Sequence, residues 1–94
     1  MRIVDFRKLL EGRPTLTLTG FTINGSHRAH KFLNLPRQVV GVRSRDFMLA
    51  APGLEPSYMT MPTGGQVVAT PDGFTITQVD GPTYAVALTY RVEK

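Results

Sequence analysis

The sequence predicts a mainly β protein, either a small antiparallel β-sandwich or a partly closed barrel, with one short N-terminal helix. Every second residue of 84–92 (YAVALTYRV) is large, as in a strand with one bulky face. Turn-forming residues recur at 24–25, 71–73 and 80–82, which divides the chain into short strands. With 94 residues, 41% of them hydrophobic, the chain is long and apolar enough to form one small core. We therefore expect a single β domain, with a helical arm at 1–13 and the β-sandwich at 14–94.

The N-terminal segment has the pattern of an amphipathic helix. Apolar side chains recur there at helical spacing: Ile3, Val4, Phe6, Leu9 and Leu10. Asp5 is placed to cap the first turn, and Gly12 with Pro14 is placed to end the helix. The pattern predicts a helix over residues 5–11. Because two turns of helix are marginal alone, it must dock on its own sheet or on a neighbouring molecule.

Strands are predicted over residues 15–23, 38–43, 45–50, 66–70, 74–79 and 83–92. In the first, Leu16 and Leu18 occupy even positions, whereas Phe21 and Ile23 occupy odd positions. A regular strand would point the two pairs to opposite faces, so we expect a bulge at Gly20. Residues 38–43 and 45–50 could also form one bent strand.

The loops are predicted from turn chemistry. Asn24-Gly25 is typical of a type I′ turn. Pro71-Asp72-Gly73 favours a type I turn followed by a left-handed glycine. Residues 52–65, rich in proline and glycine, are expected to form the longest loop. The alternation predicts a core that contains Phe74, Ile76, Val86 and Leu88.

Composition argues against several classes of protein. The chain has no cysteine, so neither disulfides nor thiolate metal sites contribute. No apolar run approaches the roughly 18 residues of a membrane helix, and the N-terminus lacks a signal-peptide pattern. We expect a protein of the cytoplasm or of a virus particle, without a membrane partner.

No residue pattern predicts catalysis or a bound cofactor. His27 and His30 have no further ligands nearby in sequence and are interpreted as part of a solvated loop rather than as a metal site. No serine lies in a recognisable nucleophile motif, and Gly64-Gly65 is too short for a phosphate-binding loop. We therefore predict no enzyme activity and no metal or cofactor.

The positive charge is concentrated in the first half of the chain. Residues 1–45 carry nine Lys or Arg and two acids, whereas residues 46–94 carry two Lys or Arg and five acids. The basic segment 27–45 supplies five candidate contacts for an anion or a neighbouring subunit: Arg28, Lys31, Arg37, Arg43 and Arg45. Aromatic residues suited to base stacking are not evident, because Phe32 and Phe47 have the pattern of core residues.

Two apolar stretches are candidate interfaces. Tyr58, Met59 and Met61 are predicted to lie at the tip of a proline-flanked loop, as a contact surface or as a lid on the sandwich. In the last strand, Ala85 and Ala87 form a small-residue face that another layer can approach closely. Either the helix or a neighbouring subunit is expected to cover that face.

Several segments resemble β-sandwich modules of bacteriophage virion proteins, such as those of tail fibres, tail tips and minor coat or decoration proteins. The similar segments are Gly-Phe-Thr-Ile at 73–76, the turn and Thr-Tyr strand at 80–90, and Leu-Pro-Arg-Gln-Val-Val at 35–40. The resemblance implies a non-enzymatic protein of the capsid or tail that acts through many-copy contacts with itself and other virion proteins. The alternatives are a nucleic-acid-binding β-module that uses residues 27–45, and a small regulator of another protein.

Overall fold

The computed structural model describes residues 1–93 and contains one α-helix, one 3₁₀ helix and eight strands among them. Helix α1 spans Ile3–Glu11, and the 3₁₀ helix spans Gly64–Gln66. The strands are β1 Thr15–Ile23, β2 Ser26–His27, β3 Pro36–Val42, β4 Asp46–Ala50, β5 Ser57–Thr60, β6 Val67–Thr70, β7 Gly73–Asp80 and β8 Tyr84–Glu93. The protein is mainly β with one short N-terminal helix, as the sequence predicts.

All the strands belong to one antiparallel sheet in the order β5-β4-β3-β1-β8-β7-β6, with β2 paired to β1. The edge strands β5 and β6 are not paired with each other, so the sheet is not closed into a barrel. A fully closed barrel is therefore excluded. The two halves of the sheet are instead folded towards each other in a sandwich-like arrangement.

Helix α1 lies between these two halves. The ring of Phe6 contacts Phe47 on β4 and Phe74 on β7 edge to face, at centroid distances of 5.9 and 5.0 Å. Four strand spacings of about 4.8 Å separate β4 from β7, so a flat sheet would hold the two strands roughly 19 Å apart. Only a strongly bent sheet can bring both rings to one side chain. The helix is thus part of the core, and the term "arm" is wrong for it.

The core consists of side chains from α1 and from the inner face of the bent sheet. Its buried apolar members are Phe6, Leu10, Leu16, Leu18, Val39, Phe47, Leu49, Val67, Phe74, Ile76 and Tyr90. The prediction is correct for Phe74 and Ile76 and wrong for Val86 and Leu88, which are only half-buried. These two residues lie on the same face of β8 as buried Tyr90, nearer the end of the strand that begins at Tyr84.

The local predictions for β1 are confirmed. The strand has the predicted bounds, and its pairing with β8 shifts register between Leu18 and Gly20, which is where the bulge is expected. Asn24 and Gly25 both have positive φ, at 51° and 82°, as a type I′ turn requires.

Two predictions about helix and strand boundaries need correction. Helix α1 begins at Ile3 rather than Asp5, and Asp5 lies in its first turn, where it pairs with Arg2 instead of capping the helix. The expected long loop at 52–65 contains a strand, because Ser57–Thr60 pairs with β4 as an edge strand. Residues 36–42 and 46–50 are two strands of one hairpin rather than one bent strand.

Gly73 is required for a reason other than the predicted left-handed conformation. Its φ is not positive, so that part of the turn prediction is wrong. A Cβ atom at this position would overlap the carbonyl oxygen of Tyr90 on the neighbouring strand. The glycine therefore permits close approach between β7 and β8 at the open end of their hairpin, where Gly73 pairs with Arg91.

We predict that Phe6→Ala lowers the free energy of unfolding by about 3–5 kcal/mol. The substitution would leave a cavity in place of the ring that contacts both halves of the sheet. Val4→Ala is the matched control, since Val4 lies on the exposed side of the same helix, and it should change stability by about 0.5 kcal/mol or less. Urea denaturation measures both. A loss below about 1 kcal/mol for Phe6→Ala would contradict the role assigned to this ring.

Candidate functional site

The structure does not place the five predicted cationic residues on one surface. Arg43 forms a two-bond ion pair with Asp46, at 2.7 and 2.8 Å, and its guanidinium lies over the ring of Tyr58. Arg37 is buried, whereas Arg28, Lys31 and Arg45 are exposed. The pair with Asp46 holds the pKa of that carboxyl below its ordinary value. The basic segment therefore provides three exposed cations without an ion pair, one exposed cation that is paired with Asp46, and one buried cation.

The buried cation belongs to a group of side chains that we call the Phe32 cluster: Phe21, His30, Lys31, Phe32 and Arg37. The Arg37 guanidinium lies over the ring of Phe32 at 3.9 Å from the centroid, and the Lys31 ammonium lies 4.9 Å from the same centroid. His30 packs edge to face on Phe21 at 4.9 Å. The cluster combines concentrated positive charge with half-buried aromatic surface.

Arg37 reaches its position because strand β3 alternates. Arg37 and Val39 point to the inner face of the sheet, while Pro36 and Gln38 point outwards. Its side chain is only 4% exposed, and its Nη1 donates a hydrogen bond to Ser57 Oγ at 3.2 Å. Burial lowers the pKa of the guanidinium, although arginine remains protonated in proteins. A charged side chain is thus held on the inner face of the sheet, at the margin of the core.

His30 lies in the loop between β2 and β3, as interpreted from the sequence, but its ring is half-buried rather than fully solvated. Its ring contacts Phe21 and Phe32, and its Nδ1 accepts a hydrogen bond from the Phe32 backbone N–H at 3.1 Å. Burial lowers the pKa of His30, and the nearby charges of Arg37 and Lys31 lower it further. His27, in contrast, is exposed.

The opposite, outer face of β6, β7, β8 and β1 is a second candidate surface. Cross-strand rows align Val68 with Thr75 and Thr89, and Thr77 with Ala87 and Thr22. We call this region the outer face; its residues are Gly20, Thr22, Val68, Thr70, Thr75, Thr77, Val79, Ala85, Ala87 and Thr89. None of these ten residues is charged; the next residues of β8 that point to this side, Arg91 and Glu93, are charged and pair with each other.

The helix does not cover the outer face. Phe6 packs on Phe74, whose partner on β8 is Tyr90, and the alternating residues Ala85 and Ala87 point to the other side of the sheet. The first of the two expected covers for the alanine face is therefore wrong. Val79 on this face is 74% exposed.

The predicted contact residues of segment 58–61 have different surroundings. Tyr58 is 57% exposed, and the Arg43 guanidinium lies over one face of its ring. Met59 and Met61 are half-buried and pack against the core. The hydroxyl of Tyr90 donates a hydrogen bond to Met59 Sδ at 3.3 Å, which joins β8 to the edge strand β5 across the inner face.

Sequence reasoning missed Phe32 and Ser57 as partners of Arg37, and Phe21 as a partner of His30. Phe32 follows Lys31 directly, and this dipeptide was the available signal for a cation beside an aromatic ring. The contact with Ser57 joins residues 20 positions apart, and no local pattern indicates it.

Comparisons with known protein families, with curated proteins and with solved structures find no match for this chain. Among residues 1–93, the single α-helix is too short to cross a membrane.

The surroundings of His30 generate a prediction about pH. Because its folded pKa lies below the ordinary value of 6.5, the unfolded chain binds this proton more readily than the folded chain. The contribution of neutral His30 to stability is therefore fully present above pH 6.5 and decreases as the pH falls below it. We expect the urea midpoint to fall between about pH 7.5 and about pH 5.5.

His30→Gln should reduce this fall, whereas His27→Gln, at an exposed position, should preserve it. Asp5 and Asp46 do not interfere, because their lowered pKa values place their titration below this range. Equal pH dependence in the wild type and in His30→Gln would contradict the assignment.

Proposed function

We propose that this protein is a non-enzymatic structural protein that acts through many-copy protein–protein contacts, as a decoration, connector or fibre module of a bacteriophage particle. The observation that carries the proposal is the outer face, which is uncharged, composed of small and β-branched residues, and not covered by the helix. Such a face suits the close packing of a second β-sheet, since small side chains allow two sheets to approach. The virion assignment is further supported by the resemblance of segments 35–40, 73–76 and 80–90 to phage β-sandwich modules.

The occupant that we propose for the outer face is a second copy of the chain. An uncharged face causes no like-charge repulsion when it meets itself, so it is compatible with a twofold contact. The charged residue next along β8 is Arg91, which pairs with Glu93 within the same strand. The charge of Arg91, at the edge of the outer face, is therefore neutralised by Glu93. It presents no strong barrier to the twofold contact.

Val79→Lys tests this contact. The substitution places a charge at a highly exposed position of the outer face, so it should leave folding intact and lower the oligomer mass towards the 10.4 kDa of one chain. Val4→Lys is the matched control, because Val4 is an exposed valine on the helix, away from the outer face. Light scattering over a range of protein concentrations measures both.

A wild-type protein that stays monomeric throughout the concentration range would count against self-assembly. An equal effect of Val79→Lys and Val4→Lys would show that the outer face is not the contact.

The nucleic-acid hypothesis has a specific observation in its favour, namely the three exposed basic side chains of segment 27–45, which have no ion pair among the described residues. If Arg28, Lys31 and Arg45 each contact a phosphate of duplex DNA, log Kd against log salt should have a slope magnitude of about 2.7. Fluorescence anisotropy with a labelled duplex measures it. Tight, salt-sensitive binding by a stable monomer would replace the structural proposal.

A further inference from the structure

We infer a second contact between copies of this chain, which is head-to-tail. In it, the exposed side chains of Leu54 and Glu55 of one copy enter a basic, partly apolar groove of the next copy. The inference rests on the proposed function in one respect, that the partner is a second copy of the chain. It uses neither the outer face nor the Phe32 cluster.

The inserting segment is a turn at one end of the β4–β5 hairpin. Pro52 and Gly53 take its two central positions, and Gly53 has a φ of 77°. The Leu54 N–H donates a hydrogen bond to the Ala51 carbonyl oxygen at 3.2 Å, which is typical of a type II turn. The turn presents Leu54, which is 48% exposed, directly beside exposed Glu55. An apolar side chain and a negative charge are thus held together, which reduces the entropy lost on binding.

The receiving groove lies at the other end of the same hairpin. It is open to solvent and has a volume of about 520 Å³, which is within the range of ligand-binding sites. Its apolar surface is formed by Ile3, Met61 and Pro62, and its charges are those of Arg7 and Arg45. The groove therefore suits a ligand that carries one aliphatic group and one negative charge.

Hydrogen bonds hold the walls of the groove in place. The Arg7 guanidinium donates to the backbone carbonyl oxygens of Arg43, at 3.1 Å, and Ser44, so helix α1 is joined to the β3–β4 turn. The Met61 N–H donates to the Arg45 carbonyl oxygen at 2.8 Å, which closes this end of the β4–β5 hairpin. The groove is therefore formed before a partner binds.

The charges of the two surfaces are opposite. Arg45 is exposed and has no ion pair among residues 1–93, and the hydrogen bonds of Arg7 are donated to uncharged carbonyl groups. The acids nearest to them in sequence, Asp5 and Asp46, already pair with other arginines. The groove is thus positive, and Glu55 supplies a negative charge to match it.

The two surfaces cannot meet within one chain. Strand β4, Asp46–Ala50, separates the two ends of the hairpin by roughly 14 Å, since each of its four residue steps rises about 3.4 Å. A contact between two different surfaces of identical chains leaves one of each free, so it extends into a filament or closes into a ring. Either geometry suits a fibre or a connector. The contact is small and therefore weak alone, but copies already joined through the outer face would reinforce it.

The test mixes two variants, each of which keeps one half of the contact. A ¹⁵N-labelled Leu54→Asp chain keeps the groove, and an unlabelled Arg45→Glu chain keeps the turn. Both also carry Val79→Lys, which removes the outer face from the measurement. All three substitutions are at exposed positions, so they should leave folding intact.

The labelled chain is titrated with the unlabelled chain to about 1 mM and followed by NMR. The amide signals that should shift are those of groove residues Ile3, Arg7, Arg45, Met61 and Gly64. An unlabelled control chain that also carries Leu54→Asp should not shift them, because burial of the new carboxylate on the apolar surface is costly.

A further substitution in the unlabelled chain tests the role of charge. Glu55→Gln should weaken binding by about two- to fivefold, the size expected for an exposed ion pair. Glu11→Gln is the matched control, since it removes an exposed carboxylate of helix α1, and it should leave the affinity unchanged. Equal affinities for these two partners would contradict the assigned pairing of charges.

Three outcomes would overturn the inference. They are the absence of shifts in the groove, equal shifts from the partner that also carries Leu54→Asp, and shifts of the same signals by a six-nucleotide oligothymidylate at lower concentration than by the unlabelled chain. None of them depends on whether Val79→Lys changes the oligomer mass. The head-to-tail contact and self-assembly through the outer face can therefore fail independently.

Discussion

The contact of Phe6 with Phe47 and Phe74 is the interaction on which the rest of the structure depends. It joins two strands that are four positions apart in one sheet, and it therefore requires the sheet to bend around helix α1. The bend creates an inner face for the core and leaves an outer face without cover. Both candidate functional surfaces follow from this separation of the two faces.

The inner face is not uniformly apolar, because it includes the charged side chain of Arg37. Near the helix it contains aromatic and aliphatic side chains, whereas Arg37 and Ser57 lie at its margin beside Phe32. The charge of Arg37 is stabilised there by the stacked ring of Phe32, by the hydroxyl of Ser57 and by the neighbouring hydroxyl of Tyr90.

The two surfaces suit different kinds of contact. The outer face, as defined, consists of uncharged small and β-branched residues, so it favours close packing of a second sheet through dispersion and water exclusion. The Phe32 cluster differs from it, because it combines the buried guanidinium of Arg37 and the exposed ammonium of Lys31 with an aromatic ring.

The sequence by itself determined the class of the fold and most of its local features. Alternation in 84–92, the phase change at Gly20 and the Asn24-Gly25 turn are encoded by neighbouring residues, and neighbouring residues suffice to predict them. Pairing between distant segments decided the rest. It made an edge strand of Ser57–Thr60, buried Arg37, left Val86 and Leu88 half-buried, and required glycine at position 73. These features depend on how the sheet bends around α1, and that bend arises from contacts between residues up to 68 positions apart.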